Sequence, residues 1–208
     1  MARSSPISRL DACGGAAHNF AIAMHLSYAQ IPRRPVNLMD LKEVFRFVSP
    51  QVRDAAVKTA EQLNQLGIRY ALAGGLAVGA HGYIRATTDV DFLVGEEAFE
   101  HHGTIVAFKA GVPIEVAGVR IDYLSPLSLG PQLEDLLNHP PMTEGLAIVP
   151  IEVLIYMKLT AKRRRDLVDV IELIRAGADI SIAREYLRQY ASDLVTSFEQ
   201  LANEALAE

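Results

Sequence analysis

The chain predicts an α/β or α+β fold that ends in an all-helical tail. Three observations carry this. Apolar residues keep helical spacing from residue 40 to 66, short strand-like runs alternate with turns and one helix from 68 to 124, and every segment after 150 returns to a helical period. Half of the 208 residues are apolar, enough to bury a core as one domain or as one domain with a helical appendage.

The first 38 residues scatter Ser, Gly, Pro and His without a sustained period. They are expected to be a disordered arm or an over-long start, with Met39 as the natural first residue. A catalytic core over residues 39–149 and a helical region over 150–208 follow. In the core, Leu41, Val44, Phe45 and Val48, then Val52, Ala56, Ala60, Leu63 and Leu66, define two helices split by Ser49-Pro50. Gly67 caps the second. Residues 68–73 form a first strand, a short Ala-rich helix follows Gly74-Gly75, and a second strand contains Asp89-Val90-Asp91. A short helix or turn is expected over 96–103, then strands over 105–108, 114–117 and 119–124, the last two joined at Ala117-Gly118. Prolines and glycines from 126 to 141 punctuate a loop-rich stretch with one short helix around 133–137. Helices are expected over 152–160 and 166–176, with two or three more after Asp179.

Composition removes several classes of function. Twenty basic residues against twenty-five acidic ones give a net charge of −5, which argues against a broad basic nucleic-acid face. The single cysteine, Cys13, excludes a disulfide framework and a cysteine-based zinc site. No run reaches the length of a membrane span, and the mildly apolar residues 16–29 make a poor secretory signal, so a cytoplasmic protein is expected. His81 is expected to pack or bond locally. The adjacent His101 and His102 lack metal-ligand spacing and are expected to be exposed. No G-x-S-x-G setting supports a serine hydrolase.

Residues 72–94, LAGGLAVGAHGYIRATTDVDFLV, carry the chemistry. Asp89 and Asp91 alternate with Val90 along a strand and so project to one side. Carboxylates at that spacing repel each other unless a cation intervenes, and a divalent ion with oxygen ligands, Mg²⁺ above all, is the usual solution. A glycine pair opening a helix lets backbone N–H groups approach a polyphosphate closely. Together these outline a nucleotidyl-transfer site.

In this order, with Arg85 and Thr87 between them, the two halves resemble the signature of the nucleotidyltransferase superfamily. That resemblance implies the polymerase β-like fold, an α+β mixed sheet with flanking helices and a C-terminal helical segment. A second stretch, PIEVLIYMKLTAKRRRDLVDVIELIRA over 150–176, resembles the branch related to AbiEii-type abortive-infection toxins. Its P-x-E-x-L-I entry is present, and Lys158-Leu159-Thr160-Ala161 with Arg165-Asp166-Leu167-Val168-Asp169 fills most of the pattern that follows. One position departs: many relatives carry Ser after the first glycine, where its hydroxyl touches triphosphate, and this chain has Gly75.

The resemblance implies roles residue by residue. Gly74 and Gly75 would cradle triphosphate, and Asp89 and Asp91 would hold two Mg²⁺ ions. A third carboxylate on a later strand would help, with Asp122 as the favoured residue and Glu115, on the partner strand of the same hairpin, as its competitor. Lys158 would meet triphosphate, with Asp166 orienting it or contacting the metal. Arg85, Thr88 and Arg165 are further candidates for nucleotide binding. Arg85 would contact phosphate or brace the loop, and Thr87 and Thr88 would stabilise that loop through hydroxyl bonds to backbone. In an unbroken helix Lys158, Lys162, Arg165 and Asp169 would share one side. The run Lys162-Arg163-Arg164-Arg165 reads either as a solvated helix end or as a contact for nucleotide or RNA.

The expected activity is Mg²⁺-dependent transfer of a nucleoside monophosphate from NTP to a hydroxyl on RNA (such as tRNA), on protein or on a small molecule. A toxin–antitoxin or phage-defence setting, with a cognate toxin or antitoxin as partner and no membrane, goes with it. The other reading is a catalytically silent binding protein on the same fold, an antitoxin or scaffold.

Overall fold

The computed structural model describes residues 38–207, so the expectation for the N-terminal arm lies outside the described residues apart from Leu38. The architecture is α+β with a mixed sheet. Helix α1 (Leu41–Phe45) is capped by Asp40, whose carboxylate accepts from the Lys42 N–H. Helix α2 (Pro50–Gln65) is capped by Ser49, with Pro50 in its first turn, where a missing N–H costs nothing. It ends in a Schellman arrangement: the Gly67 N–H donates to Asn64 and the Ile68 N–H to Leu63, with Gly67 at φ +69°.

The chain then enters β1 (Tyr70–Leu72), turns at Gly74 into α3 (Gly74–Ala80), and returns as β2 (Val90–Val94). Strands β1 and β2 are antiparallel. After a 3₁₀ turn at Glu96–Ala98 come β3 (Phe99–His102), β4 (Ile105–Phe108), β5 (Glu115–Val116) and β6 (Val119–Leu124). The main sheet has the order β1-β2-β6-β5, with β6 parallel to β2 and antiparallel to β5. Ala117 and Gly118, both at positive φ, make the two-residue hairpin turn expected there.

Two stretches differ from expectation. Residues 96–103 yield strand β3 rather than a helix or turn beyond the 3₁₀ segment. It pairs with β4, and Phe99 stacks on Phe108 at 5.4 Å. That strand is made by its partner, since Glu100, His101 and His102 are all exposed and show no inward-outward alternation. The stretch from 126 holds two short helices, α4 (Pro126–Leu129) and α5 (Gln132–Leu136), then a small hairpin of β7 (Met142–Thr143) and β8 (Leu146–Ala147). Just past β8, Ile148 bridges Leu72 in parallel and the Val149 N–H donates to the Leu72 carbonyl, covering the free edge of β1.

Helix α6 (Ile151–Ala161) is buried around most of its circumference, as its near-continuous apolar sequence requires. It packs against α3, α7 (Arg164–Arg175) and α8 (Ile180–Tyr190), and α9 (Val195–Ala207) closes on α7 and α8. The helix is broken between 161 and 164: Lys162 takes a left-handed φ of +55° and Arg163 is extended. The shared side expected for Lys158, Lys162, Arg165 and Asp169 therefore does not form as one helical face. The chain instead folds back, so that α7 lies against α6 and returns Asp166 and Asp169 to Lys158. Among the described residues no helix is long and apolar enough to cross a membrane.

Candidate functional site

Strand β6 sets the site. Its Val119, Ile121 and Tyr123 turn toward the core, which leaves Asp122 on the opposite face. In the parallel pairing Asp91 on β2 is the register partner of Asp122, and Asp89 lies just before β2. Asp89, Asp91 and Asp122 thus line a single cleft of about 400 Å³. Glu115, opposite Arg120 on β5, is exposed and not part of that lining.

Gly74 forms the floor. It takes φ +55°, and a Cβ there would overlap the Asp91 carboxylate, so two independent constraints require glycine. Gly75 beside it also lines the cleft. A Cβ at Gly75 would lie 2.8 Å from Thr87 Oγ1 and 2.9 Å from Thr87 Cβ, so a serine at this position would have to displace Thr87. The Thr87 hydroxyl donates to Asp89 Oδ1 at 3.0 Å. Thr88 is exposed and outside the cleft lining; Thr87, buried beside it, is the threonine the fold brings in.

On the helical side lies a dense ionic cluster. Lys158, only 6% exposed, places Nζ 2.8 Å from Asp166 Oδ1 and 2.7 Å from Asp169 Oδ2. Arg85 grips Asp169 through two parallel bonds, Nε to Oδ1 at 2.7 Å and an Nη to Oδ2 at 2.8 Å. Arg163 donates to the second oxygen of Asp166 at 2.7 Å. Burial works against ionising Asp166, but the bonds from Lys158 and Arg163 outweigh it and hold its carboxyl below the usual range. Arg165 lines the cleft and donates to the Ala86 carbonyl at 2.7 Å, tying α7 to the loop before β2.

The acidic side is not compensated in the same way. Burial first, then the charges of Asp89 and Asp122, push Asp91 up to about 6, against the partial relief of Lys158 and Arg163. The donor set is all oxygen and carries crowded like charge, which suits a hard divalent cation. As placed, no three His, Cys, Asp or Glu side chains among the described residues are gathered closely enough to hold an ion. Asp122 is turned instead to the guanidinium of Arg120.

Outside the cleft, His81 is buried at the end of α3 with Nε2 2.7 Å from the Val149 carbonyl. Burial lowers its pKa to about 4 despite that bond, so the neutral ring donates. His101 and His102 are exposed, near Glu96 and Glu100. The sequence gives no site role to Arg120, and names Arg163 only within the basic run and Asp169 only within the stretch that follows Lys158. The signals were local: Arg120 stands two residues from Asp122 on a strand face, and Asp169 three from Asp166 on a helix face.

Three outcomes follow from this geometry. Gly74→Ala lowers stability in chemical denaturation by at least about 1–2 kcal/mol, the cost of a left-handed non-glycine residue, with the Asp91 overlap in addition. Asp169→Ala leaves Lys158 and Arg85 without their shared partner and costs about 3–5 kcal/mol by the same measurement. The third concerns pH. His81 has its folded pKa below the unfolded 6.5, so its contribution is complete above 6.5 and lost as pH falls toward 4. Asp91 has its folded pKa above the unfolded 3.8, so its contribution is complete below 3.8 and lost as pH rises through about 6. The two nearly cancel between pH 4 and 6. In metal-free protein Asp91→Asn should therefore lose on the order of 3 kcal/mol more than the parent as pH falls through that window.

No family model matches the chain, and no curated protein matches it. Among solved structures the chain is similar to the crystal structure of an antigenic nucleotidyltransferase-like protein from Paracoccidioides brasiliensis. The identity is 18%, over 74% of this chain and 94% of that chain, with a TM-score of 0.38. A likeness at that level carries no argument about the chemistry, which rests on the residues of the cleft.

Proposed function

We propose that the protein is a Mg²⁺-dependent nucleotidyltransferase that moves a nucleoside monophosphate from an NTP to a hydroxyl and releases pyrophosphate. The observation that carries this is the parallel pairing of β2 with β6. It sets Asp91 beside Asp122 in one cleft with Asp89, against a glycine turn and a cluster of cations.

Asp89, Asp91 and Asp122 would hold the metal, which supplies Lewis-acid stabilisation of charge developing on the phosphate oxygens. The reaction is in-line attack of an acceptor hydroxyl on the α-phosphorus, with the bond to pyrophosphate breaking. Gly74 and Gly75 line the cleft, and since Asp91 and Thr87 fill the space their side chains would take, what they would offer a phosphate is backbone N–H. Arg165, and Arg163 on the rim, offer cationic donors to the triphosphate. Lys158 reaches the cleft as a partly committed charge: Asp166 and Asp169 hold its Nζ in place, and it adds positive potential opposite Asp91. Arg85 acts by bracing, since its guanidinium is committed to Asp169.

Lys162, Arg163, Arg164 and Arg165 are all exposed at the turn beside the cleft, which supports an anionic acceptor and favours RNA over a small molecule. The α6–α7 stretch resembles that of abortive-infection toxins, which supports a toxin–antitoxin or phage-defence role.

The test is incubation of purified protein with each α-³²P-labelled NTP, Mg²⁺ and total cellular RNA, with RNA and protein resolved on one gel. Label is expected on RNA, and Asp89→Asn should reduce it at least about 100-fold, since even an outer-shell partner of a metal is worth 10–100-fold. The melting temperature of that variant should not fall, because the substitution relieves carboxylate repulsion. Unchanged labelling would sink the metal-site assignment. Absence of labelling together with absence of Mg²⁺-dependent NTP binding would leave a binding protein on this fold.

A further inference from the structure

The third carboxylate of the cleft is held by a side chain of its own strand. Arg120 and Asp122 are two apart on β6 and share its cleft face. The Arg120 guanidinium donates to Asp122 Oδ2, and it lies close enough to feel the charges of Asp89 and Asp91 as well. It brings one positive charge to the three carboxylates, beside the partial relief that Lys158 and Arg163 give Asp91, where the proposed ion would supply two. Its side chain is 73% exposed, so little packing opposes its movement. Exposed ion pairs are weak, and a divalent cation can displace one. Directly across the β5–β6 hairpin, Glu115 is the register partner of Arg120. Opposed residues of an antiparallel pair stand on the same face with Cβ atoms within about 5 Å, so a turn of the arginine side chain away from Asp122 would bring its guanidinium to a second carboxylate.

We propose that Arg120 is an internal counter-ion that withholds Asp122 from the metal, and that the third ligand is released when the guanidinium moves onto Glu115. This rests on the metal-site reading above. It accounts for a cleft that is lined by three carboxylates yet does not gather them into a ligand set. It also gives Glu115 a role distinct from metal binding: it receives the displaced charge. Arg120 is a positioning residue, acting on the metal through Asp122.

The experiment is isothermal titration of the full chain with MgCl₂ alone, at pH 7.5 and low ionic strength. It compares the parent, Asp89→Asn, Arg120→Ala, Glu115→Gln, Asp122→Asn and the Arg120→Ala/Asp122→Asn double variant, all checked for an unchanged thermal melt. Arg120→Ala should bind Mg²⁺ about three- to tenfold more tightly, the scale of losing one weak exposed pair and one nearby positive charge. Glu115→Gln should bind about two- to threefold more weakly, because the released arginine then has no second partner. In the Asp122→Asn background the gain from Arg120→Ala should largely vanish. Equal or weaker binding by Arg120→Ala, in a parent whose Mg²⁺ binding is lost in Asp89→Asn, would overturn this inference and leave the metal site standing. A gain that persists undiminished in Asp122→Asn would also overturn it, reducing Arg120 to a general charge effect. Binding in Arg120→Ala but not in the parent would support it in its strongest form. No Mg²⁺ binding by any of them would remove the metal site and this inference together.

Discussion

Charge compensation in a half-buried cleft is the constraint on which the rest of this structure depends. Aspartates 89, 91, 122, 166 and 169 converge from the loop before β2, two strands and one helix, and ionised carboxylates in a low-dielectric environment must be paired. The fold divides them into two groups. Asp166 and Asp169 are saturated by Lys158, Arg85 and Arg163, with hydrogen bonds to all four carboxylate oxygens. Asp89, Asp91 and Asp122 make the second group: among the described residues Arg120 pairs with Asp122 alone, and burial first, then the like charges, raise the pKa of Asp91. The saturated half welds α6, α7 and the loop before β2 into a fixed wall. The other half keeps its negative charge only partly compensated.

Three backbone features bring the two halves together. The parallel alignment of β2 and β6 matches Asp91 with Asp122, and a shift of one residue would send one of these carboxylates into the core. The left-handed turn at Gly74 lets β1 pass into α3 directly beneath Asp91. The left-handed Lys162 ends α6 and folds α7 back, so that two aspartates far along the chain meet a lysine within the preceding helix. These features are enforced by packing elsewhere: β2 contributes Val90, Phe92, Leu93 and Val94 to the core, and α6 is buried almost throughout. The cleft is therefore rigid on both sides, as a site that positions charge requires.

Where reading the chain succeeded and failed follows the range of the interactions involved. Helices α2, α7 and α8 were legible because their periods or caps are local, as with Ser49, Gly67 and Asp179, and α6 from the length of its apolar run. Strand β2 was legible from its apolar run and β6 from its alternation. Strand β3 was not, since Glu100, His101 and His102 carry no strand signal and depend on β4 for their conformation. The covering of β1 by Ile148 and Val149 was equally hidden, because it joins residues 76 apart. At the site, residue type and strand parity singled out Asp89 and Asp91, while Asp122 was preferred to Glu115 through the resemblance. The choice of Thr87 over Thr88 was decided by loop geometry, and the commitment of Lys158 to two aspartates by the fold-back of α7.

The sequence by itself determined the class of fold, the order of its helices and core strands, and which carboxylates could share a strand face. These are properties of short-range period and of side-chain chemistry, written within a few residues of each other. The tertiary structure alone decided how the charges pair: that Lys158 is divided between Asp166 and Asp169, that Arg85 braces rather than reaches, and that Arg120 holds Asp122. Electrostatic pairing falls off with distance through space rather than along the chain. It cannot be read until the backbone has set its turns and brought residues as far apart as Arg85 and Asp169 to within about 3 Å of each other.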